Sequence, residues 1–131
     1  GDSMSAANGN WRTVRRADGE ILLRARWCAG FWCKFKGLML RAGLSPEEGL
    51  VFVYRRESVM ETSIHMLFMR FAIAAIWLDS AGTVVDKALA KPWRLAYVPQ
   101  KPAQYVLEAP VALLERVAIG ERLVFEEPET G

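Results

Sequence analysis

Length and composition describe a small globular protein. The chain has 131 residues, of which 52% are hydrophobic and 24% are charged, and this balance excludes a disordered protein. The net charge is +2, from 17 basic and 15 acidic residues, so the overall field does not indicate nucleic acid as a partner.

The hydropathy pattern indicates one domain without a membrane span. No apolar run reaches the roughly 18 residues that cross a bilayer. Residues 1–10 are small and polar, without the apolar centre of a signal peptide. We predict a flexible tail over residues 1–10 and a single β-rich domain over residues 11–131. A cytoplasmic location is favoured, and export after removal of a signal stays open.

The first predicted elements are a hairpin and a short helix. Asp18-Gly19 is a typical hairpin turn, and apolar residues alternate with polar ones over residues 21–27. This alternation indicates a half-buried strand. From Phe31 to residue 39 the apolar residues recur three and four positions apart, which predicts one face of a short helix.

The two cysteines and the one histidine give no sign of a metal or redox site. Cys28 and Cys33 have a spacing that matches neither a redox motif nor a zinc finger. We interpret them as two thiols in an apolar segment. With His65 as the one histidine, a zinc site would need a carboxylate ligand. The sequence therefore predicts no metal and no cofactor.

The middle of the chain is predicted to hold three strands. Residues 50–54 form a buried strand, and residues 55–63 are polar without a clear period, which indicates a loop. Residues 64–78 are almost wholly apolar and too long for one strand. Two strands joined by a bend near Arg70 fit this length best.

Prolines and glycines separate the remaining elements. We predict strands over 83–88, 104–108 and 123–125, a proline-containing loop over 91–103 and a short helix over 111–117. Strand–helix alternation of the βαβ kind is missing. The pattern predicts a mostly β fold: a compact antiparallel sandwich or barrel-like sheet with two short helices.

Four stretches carry a resemblance to a known family. They read FKGLMLR over residues 35–41, IHMLFMRF over 64–71, AIWLD over 75–79 and YVLEAP over 105–110. In this order and spacing they resemble the bacterial and archaeal proteins called domain of unknown function 192, or uncharacterised protein family 0127. The resemblance implies a β-rich fold with short helices and brings no known catalytic mechanism.

The chain departs from this family at one distinctive position. Where the family has Pro-Ile-Asp, this chain has Ala72-Ile73-Ala74. A buried Asp needs a partner, so we expect the partner type to persist. Arg70 is the leading candidate, now paired with another acid such as Glu108 or Asp79.

His65 is a candidate catalytic base, because its ordinary pKa lies near neutrality. Catalysis would need a nucleophile within reach, for which Ser63 and Cys33 are available. The alternation of His65 with apolar neighbours favours a structural histidine in a strand instead.

Arg70 and Glu108 are charged residues in apolar surroundings, so each needs a partner or access to solvent. The favoured interpretation is a pair that joins two strands. The alternative is that both line the polar floor of a ligand site.

An aromatic and basic loop follows, with Trp93, Arg94 and Tyr97 between prolines. Trp and Arg are enriched at binding hot spots, and a stiff loop loses little entropy on binding. A Trp that folds back over the core explains the pattern equally well.

The sequence favours a small non-enzymatic binding or accessory domain whose partner, a small molecule or a protein, is unknown. The alternatives are a hydrolase or transferase that uses His65, and an assembly protein; the oligomeric state is open. The candidate ligand-binding residues are His65, Arg70, Trp93, Arg94, Tyr97 and Glu108.

Overall fold

The computed structural model describes residues 10–127, in which seven strands form one sheet. The elements are β1 (Trp11–Arg16), β2 (Ile21–Cys28), α1 (Phe31–Lys36), β3 (Glu48–Ser58), β4 (Ile73–Leu78), β5 (Val84–Ala90), β6 (Ala103–Ala109), a 3₁₀ helix (Val111–Glu115) and β7 (Leu123–Glu126). The strand order across the sheet is β5-β4-β6-β3-β2-β1-β7. The predicted mostly β fold with two short helices is confirmed. The predicted tail lies outside the described residues, apart from Asn10.

The sheet curls into a half-barrel. The backbone N–H of Val84 donates to Glu121 at 2.8 Å, and that of Leu123 donates to Gly82 at 2.9 Å. These bonds bring the chain around β7 back to the turn between β4 and β5. A curled sheet protects its edges, which in a flat sheet would offer unpaired backbone groups.

One strand pair differs from the predicted antiparallel sheet. β2 and β3 pair in parallel, from Arg24 opposite Glu48 to Cys28 opposite Phe52. Parallel neighbours need a crossover connection, and residues 29–47 with α1 supply it. The expectation that strand–helix–strand alternation is missing is therefore wrong for this one unit. Periodicity indicates the short helix between the two strands but not that these strands pair in parallel.

β4 is buried on both faces and separates two apolar clusters. Ala74, Ile76 and Leu78 belong to the inner cluster, inside the half-barrel, whereas Ile73 and Trp77 belong to the outer cluster. A strand covered on both sides needs no alternation of polar and apolar residues. This explains the continuous apolar run in the sequence.

The segment before β4 is a covering loop, so the strand predicted from residue 64 is wrong. Ile64 forms one bridge with Tyr97, through backbone bonds of 3.0 and 2.8 Å. Met66 and Met69 are buried against the outer cluster from this loop. The side chains of this loop are apolar because the loop packs on the cluster. Sequence periodicity does not distinguish such a buried loop from a buried strand. The predicted loop over 55–63 is also partly wrong, since β3 continues to Ser58.

The cysteines form a disulfide, which corrects the interpretation of two thiols. Cys28 ends β2 and Cys33 lies in α1, and the bend between the two elements brings their Cα atoms to 5.7 Å. That separation is normal for a disulfide. Sequence spacing did not indicate it, because the approach depends on how the chain turns from strand to helix.

Candidate functional site

A cavity of about 70 Å³ lies beneath α1 and the residues that follow it. β3, β6 and the covering loop complete its walls, and Leu38, Phe52 and Met69 supply apolar surface. Its polar lining comes from elements far apart in sequence: Lys34, Lys36, Tyr54, Ser63, His65 and Glu108.

Glu108 is the buried acid of this cavity. It lies on β6 opposite Leu50 of β3 and Ala75 of β4, and only 4% of its surface is exposed. Its carboxyl group has no hydrogen bond or ion pair with any described residue. Burial raises the pKa of Glu108 to about 8, since an apolar surrounding disfavours the charged form. At neutral pH the group is therefore mostly a neutral carboxylic acid.

Lys34 and Tyr54 form the wall beside this acid. The Nζ atom of Lys34 lies 4.0 Å from the centre of the Tyr54 ring, a favourable cation–π arrangement. Burial is the main cause that lowers the pKa of Lys34, while the charge of Glu61 opposes the shift and that of Arg55 adds to it. Burial, followed by the charges of Glu108 and Glu61, raises the pKa of Tyr54 to about 12. The phenol thus stays a neutral donor.

The groups needed for nucleophilic catalysis by His65 are not assembled here. His65 is exposed, and its Nδ1 accepts a bond from the backbone N–H of Leu67 at 3.3 Å. The hydroxyl of Ser63 donates to the Val59 carbonyl at 3.0 Å. Cys33 is held in the disulfide and is not a free thiol.

The six candidate residues from the sequence fall into separate places. His65 and Glu108 line the cavity together. Trp93 and Arg94 are exposed on the outer surface, and Tyr97 packs on the outer cluster, where its hydroxyl accepts from the Lys91 N–H at 2.9 Å. The binding role of these residues stays a prediction.

The predicted pairing of Arg70 is wrong. Arg70 is exposed and forms no ion pair with a described acid, whereas Glu108 is buried. The carboxylate of Asp79 instead accepts the backbone N–H groups of Ala81 and Thr83 within its own turn. The guanidinium needs no acid partner because water reaches it.

Lys34, Lys36 and Tyr54 are cavity residues that the sequence did not single out. Tyr54 continues an apolar strand and the two lysines alternate with aromatic residues, so neither pattern marks a site. Their convergence depends on the parallel crossover that places α1 over β3 and β6.

Residues 10–127 contain neither a helix that could span a membrane nor a cluster of metal-binding side chains. No helix in this range is long and apolar enough to cross a bilayer. No group of three or more His, Cys, Asp or Glu side chains in the same range could hold a metal ion.

Comparison with known proteins identifies sequence relatives. The profile of the family described as "Uncharacterized ACR", domain of unknown function 192, matches residues 13–125. A protein of uncharacterised family 0127 from the archaeon Pyrococcus furiosus is 42% identical over 106 residues, which cover 79% of this chain and 88% of the relative. A family member from Thermococcus kodakarensis is 46% identical over 91 residues, covering 70% of this chain and 56% of the relative. The match thus spans about half the length of this second relative.

Two crystal structures have a similar fold. One is a proposed transcription regulator from Sinorhizobium meliloti 1021, with a TM-score of 0.77 and 22% identity over 88% of this chain and 92% of that one. The other is a protein of unknown function from Novosphingobium aromaticivorans, with a TM-score of 0.73 and 22% identity over 87% of this chain and 83% of that one. At this identity they show the fold alone.

Proposed function

This chain belongs to the domain of unknown function 192 family, and from that premise we propose that it is a binding domain for a small molecule that carries a carboxylate. The family membership confirms the resemblance carried by the four sequence stretches. It brings no activity, so the proposal depends on the cavity beneath α1.

The observation that carries the proposal is the unpartnered carboxyl group of Glu108. Buried polar groups are almost always hydrogen-bonded, yet this one faces a cavity and has no partner among the described residues. A ligand or ordered water would supply the missing bond. Because its pKa is about 8, the group is an O–H donor at neutral pH.

The charges around the cavity favour an anion. Lys34 and Lys36 line it, and Glu108 is the one acid in its lining. The neutral acid and the phenol of Tyr54 can both donate to a carboxylate, and hydrogen bonds to charged groups are the strong ones. A cation would be repelled by the two lysines, and the protonated acid would carry no negative charge to attract it.

The size of the cavity limits the ligand. About 70 Å³ is far below the several hundred Å³ of a site for a drug-sized molecule. A group of four non-hydrogen atoms can contribute at most about 6 kcal/mol, equivalent to a Kd of about 40 µM. Tests therefore need millimolar ligand concentrations.

Acetate, acetamide and acetamidinium test the proposal, because they have nearly the same shape and differ in charge. We expect acetate to raise the melting temperature at about pH 6.5 and to lose this effect above about pH 8, where Glu108 ionises and repels it. Acetamidinium should have no effect at the lower pH. Stabilisation by acetamidinium without stabilisation by acetate would contradict the proposal.

Glu108→Gln is the decisive variant. Its amide donates a hydrogen bond at any pH, so acetate should now stabilise the protein equally on both sides of pH 8. Glu47→Gln, which removes an exposed acid outside the cavity lining, should behave like the original chain.

The alternative of a hydrolase or transferase that uses His65 has less support. The imidazole is in the cavity lining, but neither candidate nucleophile is free to react with its help. We therefore favour binding without catalysis.

A further inference from the structure

A ridge of exposed apolar side chains runs along α1 and three adjoining loops. It consists of Trp32, Phe35, Leu40, Phe68, Trp93 and Leu95, which are between 49% and 77% exposed. We call this set the apolar ridge. Large apolar side chains that are exposed together, rather than singly, indicate an interaction surface.

Contacts and one shared groove connect five of the six members of the apolar ridge. The backbone N–H of Leu40 donates to the carbonyl of Phe68 at 2.9 Å. The rings of Phe68 and Trp93 meet edge to face at 5.1 Å between centres. Trp32 and Leu40 line one surface groove, and the ring of Trp32 lies 6.1 Å from that of Phe35.

The backbone holds three of these side chains outward in an unfavourable conformation. Leu40, Phe68 and Trp93 have φ angles of 65°, 63° and 68°, and they are the non-glycine residues of the described chain with positive φ. Bulky residues rarely adopt this left-handed conformation, which glycine adopts readily. Three bulky apolar side chains at such positions, all exposed and adjoining, point to a function at this surface.

The three segments that carry the apolar ridge contain basic residues and no acid. Residues 31–41, 66–70 and 91–95 contain six Lys or Arg residues and no Asp or Glu, although the whole chain has 15 acids. None of the six forms an ion pair with a described acid. The cations are Lys34, Lys36, Arg41, Arg70, Lys91 and Arg94.

We propose that the apolar ridge docks on an anionic lipid bilayer. Trp, Phe and Leu side chains bury their apolar surface at the level of the headgroups, where Trp is especially favoured. The surrounding Lys and Arg side chains attract anionic lipids. The occupant is a lipid surface, because its negative charge complements a surface that combines exposed aromatic residues with cations that form no ion pair with a described acid.

Co-sedimentation with vesicles tests this docking. The full chain should bind vesicles of phosphatidylcholine mixed with phosphatidylglycerol and should not bind vesicles of phosphatidylcholine alone. Salt should weaken the binding, because the Debye length shortens. The double change Lys36→Gln and Arg94→Gln should lower the partition coefficient about 25-fold, from about fivefold for each cation. Equal binding to both vesicle types, or binding to neither, would overturn the proposal.

Substitutions within the ridge separate docking from folding. Trp93→Gly suits the left-handed backbone and should keep the fold while reducing vesicle binding about tenfold. Ile119→Ala removes an apolar side chain that is 58% exposed outside the ridge, and it should leave binding unchanged. If the vesicle-free protein is a dimer that Phe68→Ala dissociates, the ridge is the interface of a second copy and lipid docking is wrong.

Discussion

Glu108 makes the free energy of unfolding of this chain depend on pH. Burial raises its pKa from 4.5 to about 8, so between these values the folded state holds a proton that the unfolded state has released. The free energy of unfolding then falls as pH rises, by at most about 1.4 kcal/mol per pH unit from this group. Its contribution is fully present below the unfolded pKa and is lost as pH rises through the folded pKa.

Glu108→Gln should remove this contribution. We expect the variant to gain stability relative to the original chain as pH increases from about 5.5 to about 8.5, because its amide does not titrate. Urea unfolding at both pH values measures the difference. Glu47→Gln, which changes an exposed acid outside the cavity lining, serves as the control and should show no comparable gain. A constant difference between Glu108→Gln and the original chain would show that the carboxyl keeps an ordinary pKa.

At the scale of the element, β4 would bury an acid at position 74, where the resemblance to the family implies an Asp. Ala74 is fully buried in the inner cluster, opposite Ala109 of β6 and Leu89 of β5. The neighbouring Lys87 donates to the carbonyls of Leu114 and Val117 at 2.7 and 2.8 Å. Its ammonium group is thus already bound to the chain after β6.

Ala74→Asp should therefore destabilise the fold by more than about 3 kcal/mol, the cost of a buried carboxylate without a partner. Leu89→Asp is the matched control, since Leu89 faces Ala74 across the strands and is 42% exposed. It should cost about 1 kcal/mol or less. Chemical denaturation of the two variants measures both. A loss below about 2 kcal/mol for Ala74→Asp would mean that Lys87 turns to pair with the new acid.

The disulfide fixes α1 to the end of β2. It closes a loop with a sequence separation of 5, and loop entropy for a ring of this size corresponds to about 2 kcal/mol of stability. A reducing agent should lower the free energy of unfolding by about this amount. The double change Cys28→Ala and Cys33→Ala should abolish the response. If reduction leaves stability unchanged, the two sulfurs are not bonded in solution.

At the scale of the whole molecule, Gly82 is where the half-barrel closes. Its φ is +87°, and a Cβ atom there would lie 2.5 Å from the backbone oxygen of Leu123. Any residue with a Cβ atom at position 82 would therefore push β7 away from the turn. The closing bond between Leu123 and Gly82 depends on this close approach.

Gly82→Ala should cost more than Gly120→Ala, although both positions have positive φ. Gly120 has a φ of +96° with nothing near its missing Cβ atom, so its substitution should cost about 1 kcal/mol from the backbone alone. For Gly82 we expect at least about 2 kcal/mol, because steric overlap is added. Thermal unfolding compares the two, and equal costs would show that the closure tolerates a shift of β7.

Local sequence patterns predicted much of this fold. They did not predict contacts between residues that are far apart in the sequence. The Asp18-Gly19 turn and the alternation after it indicated the first hairpin, which β1 and β2 form. The outward direction of Phe31 and Phe35 was not predictable, because an apolar helical face normally turns to the core. The unpaired state of Glu108 was equally hidden, since it depends on which elements cover β6.

β6 follows β3 and β4 in the chain but lies between them in the sheet. During synthesis, which proceeds from the N-terminus, the hairpin of β4 and β5 leaves the ribosome before the strand that joins it to β1, β2 and β3. Until residue 109 is made, β3 and β4 each lack their partner along one edge. Unpaired apolar edges are prone to aggregation, so we expect nascent chains of this protein to need a chaperone until β6 has been translated.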